Sequence, residues 1–142
     1  MTMQAMLMPV FAQVALTFVL LFWTLLLRFK AIRQGKVAPH AVALREPNWP
    51  PRAMQISNAY HNQLETPLLF YTLILLALET RTADSILLVL SWLFVVSRFV
   101  HAYIHITSNR IDHRTPVFLV GAVGLALMWI IVAGRLTIAA TG

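Results

Sequence analysis

Cysteine is absent from the 142-residue chain. That excludes disulfides, thiolate metal centres and a protein-borne thiol nucleophile, so any thiol chemistry needs a thiol carried in by a ligand. Charge is also scarce: 11% of residues are Asp, Glu, Lys or Arg, against 59% hydrophobic. A soluble domain carries about 25% charged residues. This chain lacks the polar cover for an aqueous surface, and lipid must solvate much of its outside. Acidic residues are scarcest, 5 against 11 basic, for a formal net charge of +6. Such a balance can mark a nucleic-acid binder. Here the basic residues flank hydrophobic runs, where orientation in a membrane accounts for them, and no nucleic-acid partner is expected. No Lys or Arg precedes the first apolar run, so the N-terminus reads as a retained span rather than a secretory signal. Internal repeats and low-complexity tracts are missing, and no run reads as strands.

What remains is four long, mostly apolar stretches. A spanning helix needs about 20 such residues. The first covers 10–27, interrupted only by Gln13, Thr17 and Thr24. A basic connection with four prolines follows; Pro50 and Pro51 suit the start of the next helix, and Trp49 suits a membrane interface. The second stretch is polar on one side at first and apolar over 68–78, with a kink expected at Pro67. The spacing predicts one all-α domain over 1–142, an integral membrane four-helix bundle with helices at about 8–34, 52–80, 83–107 and 115–138. Its connections after the first are short, so the topology is antiparallel, up and down. Trp92, Phe94, Phe99 and Tyr103 read as lipid-facing or packing residues rather than a cofactor box.

The first and third connections carry Arg28, Lys30, Arg33, Lys36, Arg45, Arg52, Arg110 and Arg114; the opposite side carries only Arg81 and Arg135. Positive charge marks the cytoplasmic side. Both basic connections are therefore expected there, with the termini outside.

The informative residues are polar ones where apolar ones belong. Asn58, His61, Asn62 and Glu65 fall at i, i+3, i+4 and i+7 on one face of the second helix. Arg98, His101 and His105 fall at i, i+3 and i+7 on one face of the third. Glu65 lies about 18 Å along its helix from Ala53, and Arg98 about 14 Å from Thr107 on the same membrane side. Antiparallel neighbours would bring Glu65 and Arg98 together as an ion pair. His61 and Asn62 would then be level with His101, and Asn58 level with His105. An intramembrane charge costs at least ~2.5–3.5 kcal/mol on insertion scales, which such a pair offsets in part. A buried structural pair with histidines bonded around it is the plain alternative. His40 and His113 read as solvated loop residues. Arg110 and Arg114 read as positive-inside charges that can also meet an anionic ligand.

The stretch NAYHNQLETPLLFY, with Asn62, Glu65 and Pro67, resembles the second-helix signature of the MAPEG family, the membrane-associated proteins in eicosanoid and glutathione metabolism. The stretch WLFVVSRFVHAYIHITSNRIDHR, with Arg98, His101 and His105, resembles that family's third-helix segment. The likeness covers nearly the whole chain and is strongest to bacterial members. It implies a homotrimer of four-helix protomers in a bacterial inner membrane. It also implies a glutathione site between protomers, near the cytoplasmic face. Asn62, Glu65 and Arg98 match the shared core, and His101 matches a position that is His or Tyr in the synthases. With Asn58 they form the implied cofactor-binding set. Arg114, with Arg110 as the alternative, is the implied thiolate-stabilising residue; His105 stands where several members have Tyr and can donate in its place. Asn58 stands where glutathione-using members often have Arg. No metal ligands are implied.

The resemblance thus suggests a glutathione-dependent transferase or peroxidase acting on small lipophilic electrophiles from the bilayer. A non-catalytic lipid- or protein-binding protein of the same fold is the alternative. A proton-coupled exporter using Glu65 and a haem or metal site on His101 and His105 are weaker readings. The first has its glutamate beside Arg98, and the second rests on spacing alone.

Overall fold

The computed structural model describes residues 2–43 and 47–141; Arg45, counted above with the basic connections, lies outside them. The described residues form helices α1 (Met3–Arg33), α2 (Pro51–His61), α3 (Thr66–Glu79), α4 (Ser85–Ile106) and α5 (Ile111–Thr141), with a short 3₁₀ turn at Pro39–Val42 and no strand. Three helices, Met3–Arg33, Ser85–Ile106 and Ile111–Ala139, are long and apolar enough to cross a membrane. The protein is an all-helical membrane bundle.

Helix α1 starts where Thr2 accepts a hydrogen bond from the Ala5 amide. Inside it, Thr17 and Thr24 donate to the carbonyls four residues back, Gln13 and Leu20. The hydroxyls are thus satisfied without water. Phe11, Phe18, Phe22, Leu26 and Phe29 face outward, which suits lipid. Of the aromatic residues on α4, Phe94 is buried, whereas Trp92, Phe99 and Tyr103 are exposed.

The second leg differs from expectation. A single helix over 52–80 kinked at Pro67 was expected; the chain instead leaves the helix at Asn62 and re-enters it at Thr66, with Glu65 at φ −92°, ψ −97°. Proline supplies no N–H and its ring clashes with the carbonyl four residues earlier, here that of Gln63. The interruption therefore falls upstream of Pro67, which sits in the first turn of α3, where its missing donor costs nothing. Two tight bonds, Gln63 N to Tyr60 O and Leu64 N to His61 O, end α2. Helix α3 has 14 residues, about 21 Å, short of the ~30 Å hydrocarbon core. Only α2 and α3 together make the fourth leg.

The main core lies towards the end away from the basic connections. Met6 of α1, Phe70, Leu73 and Ile74 of α3, Leu87 and Phe94 of α4, and Met128 and Val132 of α5 are buried there. Phe70 stacks on Phe94 at 4.7 Å. Helices α4 and α5 pack closely where Gly121 meets Ser97. A Cβ on Gly121 would collide with Ser97 Oγ, which donates to the Phe94 carbonyl at 2.6 Å. At that end of the bundle Arg135 of α5 clasps the α3–α4 connection, donating to Thr82 O at 2.8 Å and to Asp84 Oδ2 at 2.6 Å. Asp84 also caps α4, accepting from Leu87 N.

Two outcomes are expected of purified protein in detergent. Gly121→Ala displaces Ser97 Oγ from its carbonyl and lowers stability by about 1–3 kcal/mol, and Ser97→Ala in the same chain recovers part of the loss in thermal melts. The Arg135 guanidinium holds the Asp84 carboxyl below its ordinary 3.8. A carboxyl with a depressed folded pKa stabilises at neutral pH, and its contribution is lost as pH falls through that pKa. Asp84→Asn should therefore lower the melting temperature at pH 7, and the gap to the wild type should close well below pH 3.8.

Candidate functional site

The break between α2 and α3 organises the polar residues. Arg98 of α4, only 1% exposed, donates from Nη2 to the Asn62 carbonyl at 2.7 Å. That carbonyl ends α2 and has no helical partner to take it. The expected Glu65–Arg98 ion pair does not form: among the described residues the ion pairs involve Arg110, His113 and Arg135 only. Equal depth brings the two side chains together only on a continuous second helix. Because the helix stops at Asn62, the guanidinium goes to the released carbonyl and Glu65, at the start of α3, turns outward and is exposed.

The rest of the ladder shifts accordingly. The Asn62 side chain meets His105 Nδ1 at 3.2 Å, not His101. Gln55, rather than Asn58, reaches the end of α4, donating to the His105 carbonyl at 2.7 Å. The rings of His101 and His105 meet edge to face at 5.9 Å. Phe118 of α5 lies 5.7 Å from the His101 ring and 5.6 Å from the Arg98 guanidinium carbon, an arrangement suited to a cation–π contact.

Beside this cluster lies a cavity of about 200 Å³ lined by Asn62, Glu65, His101, Arg114, Thr115 and Phe118. Arg114 is braced by a bond from Nη1 to Asn109 Oδ1 at 2.8 Å. Asn109 sits at φ +52°, a left-handed conformation that Asn tolerates better than most residues, and closes the turn between α4 and α5. The structure therefore brings together Asn62, Glu65, His101 and Arg114, with Arg98 and His105 packed behind them. It does not bring Arg110, which is tied to Asp112 at 2.7 Å on the exposed surface. Nor does it bring Asn58, which lines a separate cavity of about 320 Å³ with Arg28, Trp49, Ser57 and His61. In that second cavity Arg28 donates to Ser57 Oγ at 2.7 Å and stacks over Trp49.

Buried polar atoms usually find partners. Arg98 Nε and Nη1 and His101 Nδ1 have none, although all three belong to residues almost wholly enclosed. The cavity wall thus offers one carboxylate, one guanidinium and an amide, backed by two unspent Arg98 donors and a free ring nitrogen of His101. Among the described residues no group of three His, Asp or Glu is placed to hold a metal.

Gln55, Thr115 and Phe118 had no role in the sequence reading, and neither did a buried amide pair. Gln13 of α1 and Gln63 are both buried, and Gln13 Nε2 donates to Gln63 Oε1 at 3.0 Å while Gln63 Nε2 bonds the Ala59 carbonyl. This amide pair ties the break to α1. Its signal was present: Gln13 is the one amide in the first apolar run, and polar groups within a span are expensive enough to need a reason.

A family model described as the MAPEG family matches residues 6–134. The chain belongs to the MAPEG family. No curated protein and no solved structure matches it. MAPEG membership accords with the long apolar helices and carries, at the level of the family, a membrane role connected with glutathione or eicosanoid chemistry. The family match runs from the first turn of α1 into α5, so the break, Arg98 and the cavity lie within the part of the chain that is MAPEG-like.

The glutamine pair has a measurable consequence. Gln63→Leu strands the buried Gln13 amide and should cost about 1–3 kcal/mol. Adding Gln13→Leu removes both partners and should recover most of that in thermal melts. A double variant no more stable than Gln63→Leu alone would show that the pair does not hold the break.

Proposed function

We propose that this MAPEG protein binds glutathione as a thiol co-substrate and transfers it to, or uses it to reduce, small lipophilic electrophiles that arrive from the bilayer. The observation that carries this reading is the mixed charge of the cavity at the helix break. Glutathione at neutral pH is a peptide with two carboxylates, an ammonium and a thiol. Glu65 supplies a carboxylate for the ammonium, Arg114 a guanidinium for a carboxylate or the nascent thiolate, and Asn62 an amide for the peptide backbone. Arg98 holds two unpartnered donors and His101 an unpartnered ring nitrogen beside them.

A cation beside a thiol favours the thiolate, which is the nucleophile. Arg114 occupies that role in the proposal. It is the arginine that reaches the cavity, whereas Arg110 is bound to Asp112. His105, engaged by Asn62, orients that amide rather than touching a ligand. The chain contributes no cysteine, so the thiol is the co-substrate's.

The cavity is about 200 Å³, below the ~300–1,000 Å³ usual for a small-molecule site. A single protomer therefore offers part of a site. In a homotrimer with heterologous contacts, each subunit presents a different face to each neighbour, and a neighbour would close the cavity. The Lys and Arg residues beside α1, α2 and α5 at that end favour a cytoplasmic-facing site by the positive-inside rule.

Calorimetry of glutathione against the detergent-solubilised protein tests this directly. Saturable binding tighter than millimolar is expected. Arg114→Ala should weaken it by about 10- to 100-fold, the loss of one charge-assisted bond, and leave the melting temperature close to wild type. Absence of binding to a folded wild-type protein at millimolar glutathione sinks the proposal and favours a non-catalytic MAPEG protein with a lipid or protein ligand.

A further inference from the structure

The C-terminal end of α1 is built in a way that the glutathione reading does not use. Its last turn closes with Gly35 N to Ile32 O at 2.9 Å and Lys36 N to Ala31 O at 3.0 Å. Gly35 stands at φ +67°. This is a Schellman cap, and the left-handed residue in it turns the chain back on the helix. The reversal brings Lys36 to the same side as Lys30, and Val37 packs down and is buried. Arg52, at the start of α2, faces them. It is held by a bond to Gln55 Oε1 at 2.9 Å, by another to the Ile106 carbonyl, and by stacking over Trp23 at 5.3 Å.

The result is a cavity of about 200 Å³ lined by Lys30, Gln34, Lys36 and Arg52 on its polar side and by Leu27, Ala31, Pro50 and Ala53 on its apolar side. It shares no lining residue with the cavity at the helix break. Among the described residues no carboxylate lines it, and the ion pairs present involve none of its three cations. Three like charges converging on one hollow repel each other unless an anion sits between them.

Depth identifies the anion. Helix α1 has 31 residues, about 46 Å, which matches the ~40–45 Å of a bilayer with its headgroups. Its last turn therefore lies at headgroup level. Trp23, the ring under Arg52, has the amphipathic character of an interfacial anchor. A soluble anion would leave the half-buried Leu27 and Pro50 of the apolar wall wet. A phospholipid would cover them with its glycerol and upper acyl carbons while its phosphate met the lysines. We infer that this cavity is a seat for an anionic phospholipid, with Lys30, Lys36 and Arg52 holding the phosphate-bearing headgroup. Basic pockets between spans on one face of the membrane are suited to such headgroups. The seat joins α1 to α2 at the level of the first connection, so an occupied seat braces the α1–α2 corner.

Native mass spectrometry and thermal melts of the full-length protein in detergent, titrated with phosphatidylglycerol or phosphatidylcholine, test the inference. Phosphatidylglycerol should bind at least tenfold more tightly than phosphatidylcholine and raise the melting temperature. Lys30→Gln with Lys36→Gln should weaken phosphatidylglycerol by about thirtyfold, since each basic residue near a membrane surface contributes roughly a fivefold effect. Lys30→Arg with Lys36→Arg should retain it, and Arg33→Gln, next to the cavity but outside its lining, should change it less than about twofold. Equal affinity for the two lipids overturns the inference. So does an unaffected Lys30→Gln/Lys36→Gln variant, or a loss in Arg33→Gln as large as one lysine's share, which would indicate diffuse surface charge. Displacement of phosphatidylglycerol by millimolar inorganic phosphate or glutathione would assign the cavity to a soluble anion instead.

Discussion

A carbonyl released from its helix inside a bilayer finds no water to bond, and leaving it unpaired costs several kcal/mol. The Asn62 carbonyl is released in this way because Pro67 prevents the second leg from continuing as one helix. Arg98 answers it. The same bond addresses a second difficulty, because a guanidinium enclosed among helices also needs a partner. Two groups that would each be costly alone, an orphan carbonyl and a buried cation, satisfy one another. The arrangement around them follows: Asn62 is pinned by its backbone and so can offer its side chain to His105, Gln63 turns to Gln13, and Glu65 is left facing outward.

That division of directions turns a helical stripe into a site. On a continuous helix Asn58, His61, Asn62 and Glu65 would share one face. The break sends Asn58 and His61 to a cavity with Arg28 and Trp49, and Asn62 and Glu65 to a cavity with His101 and Arg114. Each cavity has a cation and hydrogen-bonding groups, and each is open on the protomer's surface. Two separate, incomplete hollows on one protomer are compatible with the heterologous contacts of a closed ring, the assembly that the proposed site calls for.

The two ends of the bundle are held by different means. At the end away from the basic connections, a packed core and the Arg135–Asp84–Thr82 clasp fix α5 to the α3–α4 connection. At the basic end the clustered apolar core is smaller, built on Leu20, Ala59 and Ala102, and polar bonds add to the contact: Arg28 to Ser57, Gln55 and Arg52 to the end of α4, Arg114 to Asn109. Bonds of this kind rearrange with ligand and lipid more readily than close packing does. The candidate site and the proposed lipid seat both lie at this adaptable end.

Composition and hydropathy by themselves determined the class of protein. Too few charges to face water, apolar runs of spanning length and prolines before the second leg led to a helical membrane bundle, and the structure has one. The unusual polar residues within the spans, Asn62, Glu65, Arg98 and His101, could also be picked out, because a polar group in lipid needs a reason wherever it sits. Which of them touch could not be. Depth along a helix is a one-dimensional measure, and it paired Glu65 with Arg98 on the premise of an unbroken second leg. Proline announced a disturbance near Pro67, but whether the chain bends or stops, and which carbonyl is freed, depends on what α1 and α4 hold out to it. Gln13 and Arg98 are 50 and 36 residues from the groups they bond, beyond the reach of any local pattern. Tertiary packing alone decided that Arg98 serves the backbone, that Glu65 lines the cavity and that Arg114 rather than Arg110 reaches it, because each outcome was set by where the helix break and the packed helices left each side chain and its partners.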